Sequence, residues 1–283
     1  MTGFTRTADF EQFGDHRSLV LRWQPSSPVR AQAVFFPAFG DEMNQSRRMV
    51  RLAAEALAMR GIESCVFDLL GTGDSSADFS EASVSAWRAD CRHVLERFVG
   101  RPGPPLVLIG CRLGTALAVQ ASHELRSPAA MLVGWAPLLQ GRQQLSGMLR
   151  VDKMARMSRP ESAGEDPKAC WADGRVAILG GYPVSATLAS ELESLDAGAA
   201  PRAARASLLE VRASVDGIAL QPSEALRRRA DDWTAQGTPT DVRALSGPGF
   251  WNVADLVDVP SLIDATVVAV ESALEPAHTG TAS

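Results

Sequence analysis

A short segment near the middle of the chain has the spacing of a reactive turn for nucleophilic catalysis. Leu106–Ile109 is a run of four apolar residues that predicts a buried strand, and small, helix-compatible residues follow Gly114. Gly110 and Gly114 flank a strand-to-helix turn of the kind that holds a nucleophile in a strained, exposed conformation. The middle position of the turn is Arg112. Because a guanidinium stays protonated and cannot attack a carbonyl, the spacing fits this chemistry but the residue does not.

Cys111 is the alternative nucleophile in this segment. It precedes a predicted helix N-terminus, a position that lowers the pKa of a thiol. It also comes before the middle of the turn, so its side chain should point away from that of Arg112 and into the core. This second consideration favours a buried structural cysteine over a nucleophile.

Strands and helices alternate over residues 31–136, which predicts a parallel sheet with helices on both faces. The helix over Glu81–Phe98 is predicted from one apolar stripe. The first predicted strand is Arg17–Trp23, and residues 1–16 have no strong periodicity. The remaining predicted strands are Ala31–Phe36, Cys65–Asp68, Ala129–Trp135, Ser207–Ala213 and Asp241–Leu245.

The alternation stops between residues 138 and 203. This interval contains an amphipathic stretch over Leu145–Met157, a polar stretch rich in proline and glycine over Ser158–Gly174, and a predicted helix over Ser185–Leu195. Such an insertion is typical of a cap over a functional site. The predicted organisation is a core over residues 1–137 and 204–274, a cap over 138–203 and a frayed tail over 275–283.

The order of elements resembles that of the α/β-hydrolase superfamily over nearly the whole chain. Five segments resemble the exosortase A system-associated hydrolase 2 family more closely. The turn that holds the nucleophile in this superfamily is called the elbow, and the pattern of that family also carries Arg at the elbow. These segments are Glu42–Met49, Asp68–Ser76, Gly110–Gly114, Gly181–Tyr182 and Pro248–Trp251.

This resemblance implies a cytoplasmic protein from a locus for exopolysaccharide synthesis and for the sorting of proteins with a C-terminal sorting tail. The family tends to have His-Pro-Phe before its Glu-Met-Asn motif, whereas this chain has Pro37-Ala38-Phe39. Any role of that histidine is therefore absent here.

The superfamily also implies an acid and a base beside the nucleophile. Asp216 follows a predicted strand where the superfamily places its acid, although it is equally suited to an Asx-turn beside Gly217. The superfamily base lies in the loop after the last strand, and here residues 246–252 contain no histidine. We expect His93 to face water and all four histidines of the chain to be surface or structural residues: His16, His93, His123 and His278. The sequence thus indicates a degenerate triad.

Arg112 has two interpretations if the elbow geometry is retained. It can anchor a carboxylate or phosphate, because a helix N-terminus and a guanidinium both attract anions. It can instead form an internal salt bridge with an acid from the same sheet edge: Asp216, Asp41 or Glu42. The two are compatible if a ligand displaces the acid.

Backbone and apolar groups complete the predicted pocket. The N–H of Leu113 and an N–H near Phe39 and Gly40 are candidates for an oxyanion-type site, and Phe250 and Trp251 would supply apolar surface. The candidate catalytic residues are Arg112, Asp216 and Cys111, and the candidate ligand-binding residues are Phe39, Gly40, Glu42, Leu113, Phe250 and Trp251.

Composition limits the classes of partner. A net charge of -5 argues against nucleic-acid binding, and the dispersed cysteines and histidines predict neither a metal site nor a cofactor. The N-terminal residues lack the pattern of a signal peptide, and no apolar run is long enough for a membrane span, so we expect a cytoplasmic chain without a transmembrane segment. The oligomeric state cannot be predicted.

Two functions follow as hypotheses. The family resemblance suggests hydrolysis of an ester or thioester, with turnover that depends on Asp216 or Arg112. The alternative is a non-catalytic hydrolase fold that binds a small anionic or acyl-bearing ligand or a partner protein.

Overall fold

The computed structural model describes residues 3–99, 103–158, 165–214, 220–253 and 255–275. Asp216 and the predicted tail beyond residue 275 therefore lie outside the described residues. The strands in chain order are β1 (Phe4–Phe13), β2 (His16–Pro25), β3 (Ala31–Phe36), β4 (Ile62–Phe67), β5 (Leu106–Cys111), β6 (Met131–Trp135), β7 (Ala177–Leu179), β8 (Tyr182–Val184), β9 (Ala206–Arg212) and β10 (Thr240–Ser246).

An eight-stranded sheet in the order β1-β2-β4-β3-β5-β6-β9-β10 lies at the centre of the fold. The strands β4, β3, β5, β6, β9 and β10 are mutually parallel. β2 runs antiparallel to β4, and β1 runs antiparallel to β2. A mostly parallel sheet of this kind confirms the predicted fold class.

Helices cover both faces of the sheet. They are α1 (Asp41–Ala58), α2 (Val84–Phe98), α3 (Gly114–His123), α4 (Gly141–Ser158), α5 (Pro167–Ala172), α6 (Ala186–Ser194), α7 (Glu224–Ala235) and α8 (Pro260–Leu274). α1 and α8 contribute to the core on one face, and α2, α3 and α7 contribute to the core on the other. In β3, Ala33 and Phe35 belong to the core on the face of α1 and α8. Val34 and Phe36 belong to the core on the face of α2, α3 and α7. Because both faces are covered, the four consecutive residues Ala33–Phe36 are all apolar.

The β1–β2 hairpin is an element that the sequence pattern did not predict. All ten residues of β1 pair with β2, from Phe4 opposite Pro25 to Phe13 opposite His16. Most β1 side chains are exposed because the strand lies at the sheet edge, so the strand lacks the apolar pattern on which the prediction depended. His16 consequently begins the second strand and does not precede the first.

The interval between β6 and β9 contains α4, α5, β7, β8 and α6. The helix α5 lies inside a stretch for which no element was predicted. It begins where the Asp166 carboxylate accepts a hydrogen bond from the Lys168 N–H, with Pro167 in the first turn. Within the described residues, no helix combines the length and the apolar composition that a membrane span needs.

Candidate functional site

The turn between β5 and α3 has the strained geometry of an elbow, with Arg112 at its apex. The φ angle of Arg112 is 54°, a region that non-glycine residues rarely occupy. Its N–H donates to the carbonyl of Trp135 at 2.9 Å, and its carbonyl accepts from the N–H groups of Thr115 at 3.0 Å and Leu138 at 3.1 Å. The backbone on both sides of the turn therefore holds the strained conformation in place.

The two glycines that flank the elbow are required by close backbone contacts. A Cβ atom at Gly110 would collide with the backbone of Thr115, and a Cβ atom at Gly114 would collide with the carbonyl oxygens of Phe36 and Pro37. The spacing of these glycines is thus a consequence of how closely α3 approaches β3 and β5.

The side chain of Arg112 has three partners. Its Nε and Nη2 atoms donate to Glu42 Oε1 at 3.1 and 3.0 Å, and its Nη1 atom donates to the carbonyl of Ala136 at 2.9 Å. The guanidinium carbon also lies 4.7 Å from the centre of the Trp251 ring, a cation–π contact. The sequence offered three acids as partners of Arg112, and Glu42 is the one that forms the salt bridge in the structure. Asp216 lies outside the described residues.

Two opposing effects act on the pKa of Glu42. It lies in the first turn of α1, and its side chain is 18% exposed. Burial raises the pKa of Glu42, and the positive charge of Arg112 opposes this shift. The second carboxylate oxygen, Oε2, is buried and has no hydrogen-bond partner among the described residues. A carboxylate with one unsatisfied oxygen can be displaced by a better ligand of the arginine at a reduced free-energy cost.

Arg112 borders two cavities. The larger, about 600 Å³, lies between the elbow and the interval 138–203, and its wall includes Phe39, Met148 and Tyr182. The smaller, about 350 Å³, lies toward β9 and α7, and Trp251 forms part of its wall. The guanidinium is therefore at the boundary between the two spaces.

The remaining predicted ligand-binding residues occupy different positions around this boundary. Gly40 precedes α1 and lines the larger cavity, and the Leu113 N–H at the start of α3 has no acceptor among the hydrogen bonds of the described residues. Phe250 was expected to line the pocket, but it is 1% exposed and contacts the rings of Trp135 and Trp251 edge-on. Phe250 thus supports Trp251, and Trp251 is the residue that reaches the site.

Cys111 is buried in the core, with 2% of its surface exposed. Burial raises the pKa of its thiol to about 12. The thiolate needed for nucleophilic attack is therefore disfavoured, and the geometry favours the structural interpretation of this residue.

The described histidines provide no base at the elbow. His16 Nε2 lies 3.4 Å from Asp90 Oδ1, and His93 stacks on Phe13 with ring centres 4.5 Å apart. His93 is half-buried, so it faces water only in part, since one side of its ring packs on Phe13 of the hairpin. His16, His93 and His123 line neither of the cavities that Arg112 borders, and His278 lies outside the described residues.

Sequence reasoning missed two participants in the site. The first is Tyr182, whose hydroxyl donates to Asp41 Oδ1 at 2.8 Å and whose pKa is raised by burial to about 12. Its presence in one of the family-like segments, as the single tyrosine of the chain, was an available signal. The second is Ala136, whose φ angle is 40° and whose carbonyl accepts from Arg112. No sequence signal marks this alanine.

A metal centre has no support in the described ranges, where no cluster of three or more His, Cys, Asp and Glu side chains is suitably arranged. The site is thus built from a guanidinium, a carboxylate, an indole and backbone groups.

Comparison with known proteins places the sequence in a family. The serine aminopeptidase, S33 family matches residues 27–168, just over half of the chain. No curated protein matches the sequence at a significant level.

Solved structures resemble the chain over almost its full length. The α/β-hydrolase domain-containing protein 10 from mouse is 17% identical, with 94% of this chain and 99% of that chain covered and a TM-score of 0.59. A soluble variant of monoglyceride lipase from Saccharomyces cerevisiae is 15% identical, with coverage of 95% and 96% and a TM-score of 0.59. Est1E from Butyrivibrio proteoclasticus is 10% identical, with coverage of 94% and 98% and a TM-score of 0.63. At these identities the likeness shows the fold alone, and with the family match it shows that the chain belongs to the serine aminopeptidase, S33 family and has the α/β-hydrolase fold.

Proposed function

We propose that the site at Arg112 binds a small anionic, acyl-bearing ligand and forms no acyl-enzyme. The observation that carries this proposal is the guanidinium of Arg112 at the elbow apex, where it borders both cavities. A planar guanidinium presents paired N–H donors that match a carboxylate or phosphate. The ligand would take the place of Glu42 at these donors.

The surroundings of Arg112 support exchange of one anion for another. Glu42 leaves one buried oxygen unsatisfied, and burial raises its pKa. Protonation of Glu42 would remove the competing charge while Ala136 and Trp251 still orient the guanidinium. The Leu113 N–H supplies one more donor at the helix N-terminus.

The larger cavity is suited to the acyl part of such a ligand. Its volume of about 600 Å³ lies within the range of small-molecule sites. Phe39, Met148 and Leu179 supply apolar surface, while Gln143 and Arg150 supply polar groups. An acyl group would thus rest on apolar side chains with its anionic end at Arg112.

Ligand-dependent thermal stabilisation tests this proposal. We expect acetyl phosphate, phosphate or short carboxylates to raise the melting temperature of the native protein. Arg112→Ala should weaken the affinity about tenfold or more, since charge-assisted hydrogen bonds are lost. Arg227→Ala, at an exposed arginine of α7, removes the same charge elsewhere and is the matched control. Equal shifts for the native protein and Arg112→Ala would remove the proposal.

Hydrolysis of an ester or thioester is the second candidate function. Membership in a hydrolase family and the Leu113 N–H without an acceptor support it, because such an N–H is placed to stabilise an oxyanion. A panel of short acyl esters and thioesters, combined with a serine-directed fluorophosphonate probe, separates the candidates. Turnover that Arg112→Ala abolishes would favour hydrolysis, whereas binding without turnover favours the ligand-binding function.

We also propose that residues 138–203 form a cap over the site. α4 and β8 border the larger cavity, and the Tyr182 hydroxyl joins this interval to Asp41 at the start of α1. Tyr182→Phe should therefore weaken ligand binding with little change in the melting temperature. Unchanged affinity in this variant would argue against a closing role for the contact.

The resemblance to exosortase A system-associated hydrolases suggests the biological setting. We propose a cytoplasmic role in an exopolysaccharide and protein-sorting locus, supported by the family-like segments, two of which contain Glu42 and Arg112. Deletion of the gene should alter exopolysaccharide output or the processing of proteins with a C-terminal sorting tail. Normal output and processing in the deletion strain would contradict this setting.

A further inference from the structure

A third cavity lies on the α1 face of the sheet and does not include Arg112. Its volume is about 280 Å³, and it is bounded by α1 on one side and by the β1–β2 hairpin on the other. Leu21 and Val66 are paired on the adjacent strands β2 and β4, and both line the cavity while remaining partly exposed. We call this cavity the hairpin groove.

The strand register explains the apolar floor of the hairpin groove. Arg6 and Ala8 of β1 lie opposite Trp23 and Leu21 of β2. Alternate residues of a strand share one face, so these four side chains turn to the same side of the hairpin, and all four line the groove. The fold thus leaves a concave apolar surface beside α1.

The charged residues of the hairpin groove are mainly cationic. Three arginines and one carboxylate line it, namely Arg6, Arg47, Arg51 and Asp68. Arg47 is paired with Asp68 at 3.0 Å, and Arg51 is paired with Glu55 at 2.8 Å. Arg6 has no ion-pair or hydrogen-bond partner in the part of the chain that the structure describes. An apolar floor with an unpaired guanidinium at its border is complementary to an anionic amphiphile.

We propose that the hairpin groove binds a medium-chain carboxylate, with its hydrocarbon chain on Leu21 and Val66 and its carboxylate at Arg6. The cavity volume of about 280 Å³ is close to the lower end of the range for small-molecule sites, which favours a single medium-length chain over a larger lipid. The groove does not include Arg112, so binding there does not depend on the function proposed above.

Photo-crosslinking to the full-length native protein locates the ligand. The probe is decanoate that carries a diazirine, and labelled peptides are identified by mass spectrometry. We expect saturable labelling within residues 4–13, 19–25 or 43–51, with decanoate competing at least tenfold better than decanol. Arg6→Gln should weaken labelling about tenfold, whereas Arg227→Gln, a matched loss of charge on α7, should not.

A second variant keeps the test independent of charge. Ala8 lies exposed on the edge strand, so Ala8→Trp can fill the groove without disturbing the core, and circular dichroism checks its fold. This variant should abolish labelling of the three peptides. Three outcomes would overturn the proposal: labelling that persists in Ala8→Trp, labelling that Arg6→Gln does not weaken, or labelling that occurs only within residues 138–151. The last of these outcomes would instead support a ligand at the elbow.

Discussion

The guanidinium of Arg112 donates a hydrogen bond of 2.9 Å to the carbonyl of Ala136, and each residue has a positive φ angle, 54° for Arg112 and 40° for Ala136. Among the described non-glycine residues, these two alone occupy this region. Each such conformation costs about 1–3 kcal/mol and persists only when its surroundings hold it. The side chain at the apex of one strained turn therefore fixes the neighbouring strained turn. Arg112 thus has a structural role in addition to any role toward a ligand.

Arg112→Ser is expected to restore no serine-hydrolase activity. The variant places a hydroxyl at the elbow, but no described histidine lines the adjoining cavities, so the hydroxyl would lack a base. We expect no fluorophosphonate labelling and a free energy of unfolding about 1–3 kcal/mol lower, because the bonds to Glu42 and Ala136 are lost. Arg227→Ser is the control for urea denaturation. Covalent labelling of the Arg112→Ser variant would contradict the degenerate-site interpretation.

Glu42→Gln should strengthen anion binding and reduce its pH dependence. In the native protein, burial raises the pKa of Glu42, so lowering the pH neutralises it and releases the charge of Arg112. Native affinity for an anion should therefore rise as the pH falls, whereas the variant should bind tightly throughout. Sulfate keeps its charge over the range, so calorimetry with sulfate between about pH 5 and pH 8 isolates the protein's contribution. Identical affinities and pH profiles for the two proteins would contradict this exchange.

Gly114→Ala should destabilise the fold, unlike a glycine substitution in open space. The new Cβ would meet the carbonyl oxygens of Phe36, the last residue of β3, and of Pro37, which follows it; these are backbone atoms that cannot rotate away as a side chain would. We expect a loss of about 1–3 kcal/mol or more in the free energy of unfolding. Gly147 in α4 has no atom within 4 Å of a Cβ position, so Gly147→Ala should gain roughly 0.5–1 kcal/mol. Thermal denaturation of both variants checks this contrast, and similar shifts for the two would count against the close approach at the elbow.

Asp90→Asn should remove a pH dependence of stability. Burial raises the pKa of Asp90 to about 7 from its ordinary value of 3.8. The folded protein thus holds this proton more tightly than the unfolded chain does, so the free energy of unfolding falls as the pH rises from about 4 to about 7. At about 1.4 kcal/mol for each pKa unit, the fall amounts to at most about 4 kcal/mol.

Urea denaturation across this pH range measures the effect of Asp90. The difference between the native protein and Asp90→Asn should change steadily between about pH 4 and pH 7 and level off above that range. The asparagine can still accept the hydrogen bond that the Leu70 N–H donates to Asp90 Oδ2 at 2.7 Å. A difference that does not vary with pH would show that Asp90 is ionised in the folded protein throughout.

Local patterns in the sequence were sufficient to predict the central architecture. The strands β5 and β6 and the Ala33–Phe36 part of β3 are buried on both faces of the sheet, so each appears in the sequence as a short run of apolar and small residues. The elbow was equally predictable, since Gly110 and Gly114 lie where close backbone contacts leave room for glycine alone. By contrast, β1 was missed because an exposed edge strand has no buried face to leave an apolar pattern.

The identity of the partner of Arg112 was decided only by tertiary structure. Glu42 is 70 positions away in sequence, and local patterning could not choose between it and the other two acids considered. The choice arises because β3 and β5 are parallel neighbours, so the turns after both strands meet at one edge of the sheet and bring the first turn of α1 beside the elbow. The contact with Ala136 has the same origin, since β6 is the next strand along that edge. The sequence by itself determined that an arginine occupies the elbow, and the pairing of the strands determined what that arginine contacts.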